Sequence, residues 1–151
     1  EQIMTADLVV LSPGDLYTSL IPNLLVDGVS KALRETGAKK ALVVNLMNKH
    51  GHTTNFKAGD YLREIKRFVG KDVFDYIIVN NSKLPEELIQ LYETEGDPVE
   101  NDLIPDPRVI AADVLSNETV PLQKTDTLKR SLIRHDSRKL AEELMKIVDS
   151  F

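Results

Sequence analysis

Four short apolar runs punctuate the chain, at residues 8–11, 41–44, 76–79 and 109–112. Each has strand length, is mostly β-branched or aliphatic, and lacks alternation with polar positions, the pattern of strands covered on both faces. Their starts lie about 34 residues apart, which leaves room for one strand plus one crossover helix, about 30 residues or more. Helical patterns fill the gaps. Tyr61, Leu62, Ile65, Phe68 and Val69 recur at the steps of one apolar stripe, and Gly70 follows where that helix should stop. Leu88, Leu91 and Tyr92 form a second stripe behind Pro85, Glu86 and Glu87, a first turn that tolerates a missing donor and welcomes negative charge, with Gly96 as terminator. Pro22 and the pair Asp27-Gly28 interrupt the first crossover, so a broken or kinked helix is expected there. Leu140, Ala141, Leu144, Ile147 and Val148 make the last stripe, with Asp136 placed to cap it.

Strands alternating with helices at near-constant spacing predict an α/β fold, a Rossmann-like, doubly wound, mostly parallel sheet with helices on both faces. A helical repeat array is excluded because the segments after the strands share no motif. Ligands of such sheets sit beyond the carboxyl ends of the strands, which singles out residues 12–15, 45–51, 80–84 and 113–117. The stretch 93–107, with an acidic cluster and three prolines, reads as an irregular surface excursion rather than an interdomain linker.

At 151 residues the chain is expected to be a single α/β unit, 1–151, able to hold a core without staples. With 42% hydrophobic and 28% charged residues it matches an ordinary globular domain, and no apolar run reaches the roughly 18 residues of a spanning helix, so no membrane partner is expected. A net charge of -5 argues against a nucleic-acid partner. The lack of cysteine excludes a disulfide frame, a thiolate nucleophile and Cys-ligated metal, and fits a reducing compartment. Glu1-Gln2-Ile3-Met4 carries no export-signal pattern, so the expected location is cytoplasmic, and a start other than Met points to a piece of a longer protein.

Three segments are rich enough in polar groups to carry chemistry. Ser12-Pro13-Gly14-Asp15-Leu16-Tyr17-Thr18-Ser19 follows the first strand and opens a helix, where backbone donors can cradle a phosphate; the bland alternative is a tight turn with Asp15 as cap. In the segment from Asn45 through Met47, Asn48, Lys49, His50, Gly51 and His52 to Thr54, the two histidines would share a side of an extended strand and could share a metal, although no third ligand is near. Lys49 is a candidate phosphate contact, and a solvated lysine is the alternative. In Arg134-His135-Asp136, Arg134 could contact an anion and His135 act as acid or base, or Asp136 could cap the last helix with the other two exposed. The acidic set Glu93, Glu95, Asp97, Glu100 and Asp102 lacks the calcium-loop pattern and reads as solvated.

Taken in order, the run from Ala6 through Ser12-Pro13-Gly14-Asp15-Leu16-Tyr17-Thr18-Ser19 to Ile21-Pro22-Asn23-Leu24-Leu25, then Asn45-Leu46-Met47 with Gly51 and Thr53, then Arg134-His135-Asp136-Ser137-Arg138-Lys139-Leu140-Ala141, resembles the CofD-like superfamily of 2-phospho-L-lactate transferases. The wording Leu-Tyr-Thr-Ser followed by Ile-Pro-Asn-Leu-Leu resembles its gluconeogenesis-factor (YvcK-like) branch. The resemblance spans nearly the whole chain, and it implies the C-terminal half of a longer domain whose other half begins with a strand and a Gly-rich loop. It also implies a Rossmann-like homodimer with a nucleotide diphosphate or nucleotide sugar lying across the strand ends, linked to carbon flow and envelope synthesis. The ligand-binding positions it implies are Ser12, Gly14, Asp15, Tyr17, Thr18, Ser19 and Asn23 in the first loop, and Asn45, Met47, Asn48 and Gly51 in the second. In the transferase branch a phospholactyl group passes to a deazaflavin alcohol with magnesium, so a magnesium-dependent transferase is the alternative activity and a non-catalytic dimerisation half a third.

Two departures from the family wording stand out: Asp15 replaces the usual Ser after the glycine, and Met47-Asn48-Lys49-His50-Gly51-His52-Thr53 replaces Met-Thr-Gln-Pro-Gly-Glu-Thr. An ionised Asp15 beside a bound phosphate would be repelled by about 4 kcal/mol at about 4 Å and an effective dielectric of about 20. Either Mg2+ bridges Asp15 and the diphosphate, the reading favoured from sequence, or Asp15 caps the helix, or phosphate binding has been lost.

Overall fold

The computed structural model describes residues 1–117 and 133–151. A short helix α1 (Gln2–Thr5) leads into β1 (Leu8–Leu11), followed by a π-helical turn (Leu16–Leu20), α2 (Ile21–Leu25), α3 (Val29–Glu35), β2 (Lys39–Val43), α4 (Ala58–Val69), β3 (Tyr76–Asn80), α5 (Glu86–Tyr92), β4 (Val109–Ala112) and α6 (Ser137–Val148). All four strands are parallel, in the order β1-β2-β3-β4. The apolar runs are therefore the strands, and the first crossover is broken as Pro22 and Gly28 require. Gly28 takes φ +83 between α2 and α3, and Gly70 ends α4 at φ +94, a conformation a side chain would resist.

Register sorts the strand residues into two faces. Leu11, Leu42, Ile77 and Val109 lie in one row across the sheet, and Val43, Ile78 and Ile110 in the next. The first row joins the larger core, built with Leu16, Ile21 and Leu24 of the first crossover, Leu33 of α3, and Tyr61, Leu62, Ile65 and Val69 of α4. The second row faces α6 through Leu140, Leu144 and Ile147. Helices thus cover both faces, and from Ala41 to Val43 in β2 and from Ile77 to Val79 in β3 every side chain is apolar and buried. Among the described residues no helix is long and apolar enough to cross a membrane.

Helix α5 departs from the expected crossover. Leu88 and Tyr92 pack with Leu46, Met47, Leu115 and Ile133 in a third cluster beyond the strand ends, while Leu91, expected in the buried stripe, is 62% exposed. On α6, Asp136 caps as expected, accepting from the Arg138 and Lys139 amides, whereas Ala141 and Val148 of the stripe face outward.

At the opposite, amino end of the sheet, Arg108 binds Asp106 at 2.7 Å and Asp72 at 2.9 Å and donates to the Phe74 carbonyl at 3.1 Å, tying the entries of β3 and β4 together. The Arg108 hydrogen bonds hold the Asp106 carboxyl down at about 2. A carboxyl depressed on folding stabilises above its unfolded value and loses that contribution as pH falls through the folded one. Urea midpoints followed from about pH 5 down to about pH 2 are therefore expected to fall more steeply for the native protein than for Asp106→Asn.

Candidate functional site

The loops after β1 and β2 meet at the carboxyl end of the sheet. Asn45, just past β2, accepts from the Gly14 amide at 3.2 Å and donates to the Gly14 carbonyl at 3.0 Å, a reciprocal pair that fixes the first loop against the second. Lys49 reaches across to the Asp15 carboxylate at 2.8 Å, and Thr18 Oγ1 donates to the same oxygen at 3.3 Å. Asp15 stands at the entry of the π-helical turn, yet its side chain takes no backbone amide there, so it does not cap. The Lys49 hydrogen bond, its largest influence, holds the Asp15 carboxyl below its ordinary range against the opposing effect of partial burial. The sequence points to a bridging metal or a capping role for this carboxylate; its partner in the structure is a lysine from the neighbouring loop.

The second loop is braced from within. Buried Asn48 donates to the Phe56 carbonyl at 2.8 Å and to Asp97 Oδ2 at 2.7 Å, and its own oxygen accepts from the Tyr61 phenol at 3.0 Å. Burial, the dominant effect, pushes that phenol's pKa up. Asn48 therefore touches the cleft with its amide already committed to the scaffold. Backbone bonds from Asn48 to Asp97 at 2.7 Å and from His50 to Glu95 at 2.7 Å dock the stretch after α5 onto this loop. The acidic segment is thus anchored: Asp97 holds Asn48, Glu100 pairs with Lys57 at 2.8 Å, and Asp102 accepts from the Gly59 amide at 2.8 Å. Residues 50–53 turn, with the His52 and Thr53 amides donating back to the Lys49 carbonyl at 3.0 and 2.9 Å, so the extended geometry that would let His50 and His52 share a metal is not formed. His50 Nε2 instead lies 3.5 Å from Asp97, and no group of three potential metal-ligating side chains occurs among the described residues.

Between these loops, α5 and the 133–135 segment lies a cleft of about 980 Å³. Of the positions implied by resemblance, Gly14, Asp15, Asn45, Met47 and Asn48 line it. Ser12, Tyr17, Thr18, Ser19, Asn23 and Gly51 lie outside the lining: Tyr17 donates to Glu64 of α4 at 3.1 Å, Asn23 donates to the Ser19 carbonyl at 2.7 Å, and Gly51 sits in the exposed turn at φ +79. Lys49, His50, His52, Arg134 and His135 complete the polar wall, and Leu91, Tyr92, Thr94 and Glu95 come from the α5 side. Arg134 is exposed as the bland reading held, but His135 is not; its placement follows from a short antiparallel bridge between Leu115 and His135, flanked by Ser116 N to Arg134 O at 2.9 Å and Asp136 N to Val114 O at 2.8 Å.

Gly96 makes the docking of the acidic stretch possible. A Cβ at this buried position would overlap the Asn48 carbonyl, lying 2.8 Å from its carbon. Gly96→Ala is expected to cost about 1–3 kcal/mol in denaturant unfolding of the intact protein. Gly37→Ala, whose Cβ meets nothing within 4 Å, should stay within about 0.5 kcal/mol of the native protein.

Residues 1–120 match the family described as 2-phospho-L-lactate transferase CofD. A relative from Thermotoga maritima is 39% identical over 148 residues, covering 97% of this chain and 46% of its own length. The gluconeogenesis factor of Bacillus subtilis is 33% identical over 147 residues, covering 97% of this chain and 44% of its own length. Among solved structures, the UPF0052-family protein BH3568 of Bacillus halodurans aligns with a TM-score of 0.80 at 28% identity, over 95% of this chain and 44% of that one. The chain spans less than half the length of these relatives.

Proposed function

Because the chain belongs to the CofD family, we propose that it supplies one half of a nucleotide-binding domain of the gluconeogenesis-factor type, whose cleft takes a nucleotide diphosphate or nucleotide sugar. The observation that carries this reading is the locked pair of strand-end loops: Asn45 clamps Gly14 from both sides and Lys49 neutralises Asp15, so the first loop can receive phosphate oxygens without an uncompensated carboxylate beside them. The position, beyond the carboxyl ends of parallel strands, is where such sheets bind ligands. The volume, about 980 Å³, suits a molecule of nucleotide-sugar size. Homodimerisation, a cytoplasmic location and a link to carbon flow and envelope synthesis belong to the same proposal.

A bound Mg2+ would find one carboxylate, Asp15, on the first loop, and that group is shared with Lys49. Magnesium commonly binds through one or two carboxylates plus substrate phosphates, so the residues fit an ion that enters with the diphosphate. It would supply charge neutralisation there, while this chain's own residues hold and orient: Asn45 sets the loop, and Lys49 keeps Asp15 ionised and compensated.

Calorimetry of the full-length protein against uridine and guanosine diphosphates and their sugar conjugates is expected to give binding, and silence across that panel would overturn the reading. Lys49→Met should weaken metal-free binding of the same compounds by about tenfold or more, because Asp15 then faces phosphate unpaired, and added magnesium should recover part of the loss. An unchanged affinity would show that Lys49 does not serve this purpose.

A further inference from the structure

Helix α5 carries apolar side chains in three directions. Leu88 and Tyr92, four apart and so on one face, pack into the cluster beyond the strand ends; Ile89 lines a second, smaller cavity of about 240 Å³; and Leu91 lines the main cleft. Leu16, Leu46 and Ile133 of the same lining are buried, and Met47 and Tyr92 are half-buried. Leu91, at 62% exposure, is therefore the apolar side chain of the described lining most open to whatever fills the cleft.

The wall that holds it is fixed in place. The Glu95 and Gly96 amides donate to the Tyr92 carbonyl at 2.7 and 2.9 Å and close the helix end, while the His50 amide donates to the Glu95 carbonyl at 2.7 Å and ties that end to the second loop. The Tyr92 phenol oxygen accepts from the Ile133 amide at 3.4 Å on the other side. A single exposed leucine on an open surface is ordinary. In the wall of a cleft it is surface that a ligand can cover, since ligand pockets are mostly apolar with a few placed polar groups, and a pre-set wall lowers the ordering cost of that contact.

We propose that the α5 wall is the base subsite of the cleft and that Leu91 packs against the flat face of a nucleobase. This rests on the nucleotide reading and deepens it. Of the parts of a nucleotide sugar, the phosphates and the sugar hydroxyls hold water strongly, and the ring faces of the base are the broad surface that gains from covering an aliphatic side chain. Among the described lining residues of the α5 wall the charged one is Glu95, a carboxylate, which does not attract phosphate. Lys49 and Arg134, the lysine and arginine of that lining, come instead from the second loop and from the 133–135 segment. The phosphates can therefore engage the Gly14 loop and the 133–135 segment alike, and the base alone is assigned to α5. Every base has such a face, so contact at Leu91 demands a base without choosing between uracil and guanine.

The test uses the full-length protein and the panel of uridine and guanosine diphosphates with their sugar conjugates. Methyl NMR, with the Leu91 signals assigned by their loss in Leu91→Ala, should show a ring-current shift of the Leu91 methyls on binding and nuclear Overhauser contacts from them to base protons. Calorimetry should give about fivefold to twentyfold weaker binding in Leu91→Ala, which keeps helix propensity and removes the apolar surface. Leu91→Met, which restores that surface, should stay within about threefold of the native protein. Because Leu91 is exposed, Leu91→Ala should leave the unfolding midpoint of the unliganded protein where it is. A midpoint that falls while affinity is unchanged means that protein rather than ligand covers Leu91, and overturns the inference. Nucleotide bound without methyl-to-base contacts, or bound equally well by Leu91→Ala, overturns it while leaving the nucleotide reading intact. Silence of the whole panel in the native protein overturns both.

Discussion

Strands β2 and β3 are covered on both faces, and that coverage decides where this protein can have chemistry at all. From Ala41 to Val44 and from Ile77 to Val79 every side chain is at least nine-tenths buried and apolar. Any charged group there would be desolvated without a partner, at a cost the fold could not carry. On the carboxyl side of these runs polar residues enter at Asn45 and Asn80, and both amides are turned at once to holding the backbone of neighbouring loops: Asn45 on Gly14, Asn80 on Ser82. The position of the cleft is thus a consequence of the apolar pattern, and its lining a consequence of which loops those two amides bring together.

The loops themselves are held by polar networks. Thr53 and Asn48 are among the few buried polar residues, and with Tyr61 and Asp97 they form one connected set joining the second loop to α4 and to the stretch after α5. A network of this kind rigidifies when every member is satisfied and is costly when one is missing. It also explains why an acidic, proline-containing stretch packs down: its carboxylates are the acceptors that the amide donors of the second loop and of the α4 amino end require.

The strands, the broken crossover, the long α4 stripe and the Asp136 cap were legible in the sequence because each is written in local spacing, through periods of hydrophobicity, Pro and Gly punctuation, and a capping side chain next to the amides it binds. The departures are all tertiary. Leu91 carries the same hydrophobicity as Leu88, and only the seat of α5 beyond the strand ends decides which of the two is covered. Gly96 reads as a helix terminator, while its need for space comes from Asn48, far away in sequence. The family wording around the first loop mixes two kinds of residue: Gly14 and Asp15 face the cleft, whereas Tyr17 and Asn23 fasten the turn to α4 and to itself. His135 had no local signal beyond its neighbours, since its burial depends on pairing with Leu115 across residues 116–134.

The charge of the cleft follows from the same arrangement. Among the described lining residues Asp15 and Glu95 are acidic and Lys49 and Arg134 basic, so the formal charges cancel before any ligand arrives, and Lys49 is already engaged with Asp15. A diphosphate would therefore meet no standing excess of positive charge from these side chains, and what attracts it must come from backbone donors at the first loop and from a cation travelling with it. A neutral His135 is consistent with that economy of charge. Burial, the larger effect, holds the His135 imidazole below its ordinary pKa, so the ring adds no positive charge to the cleft at neutral pH.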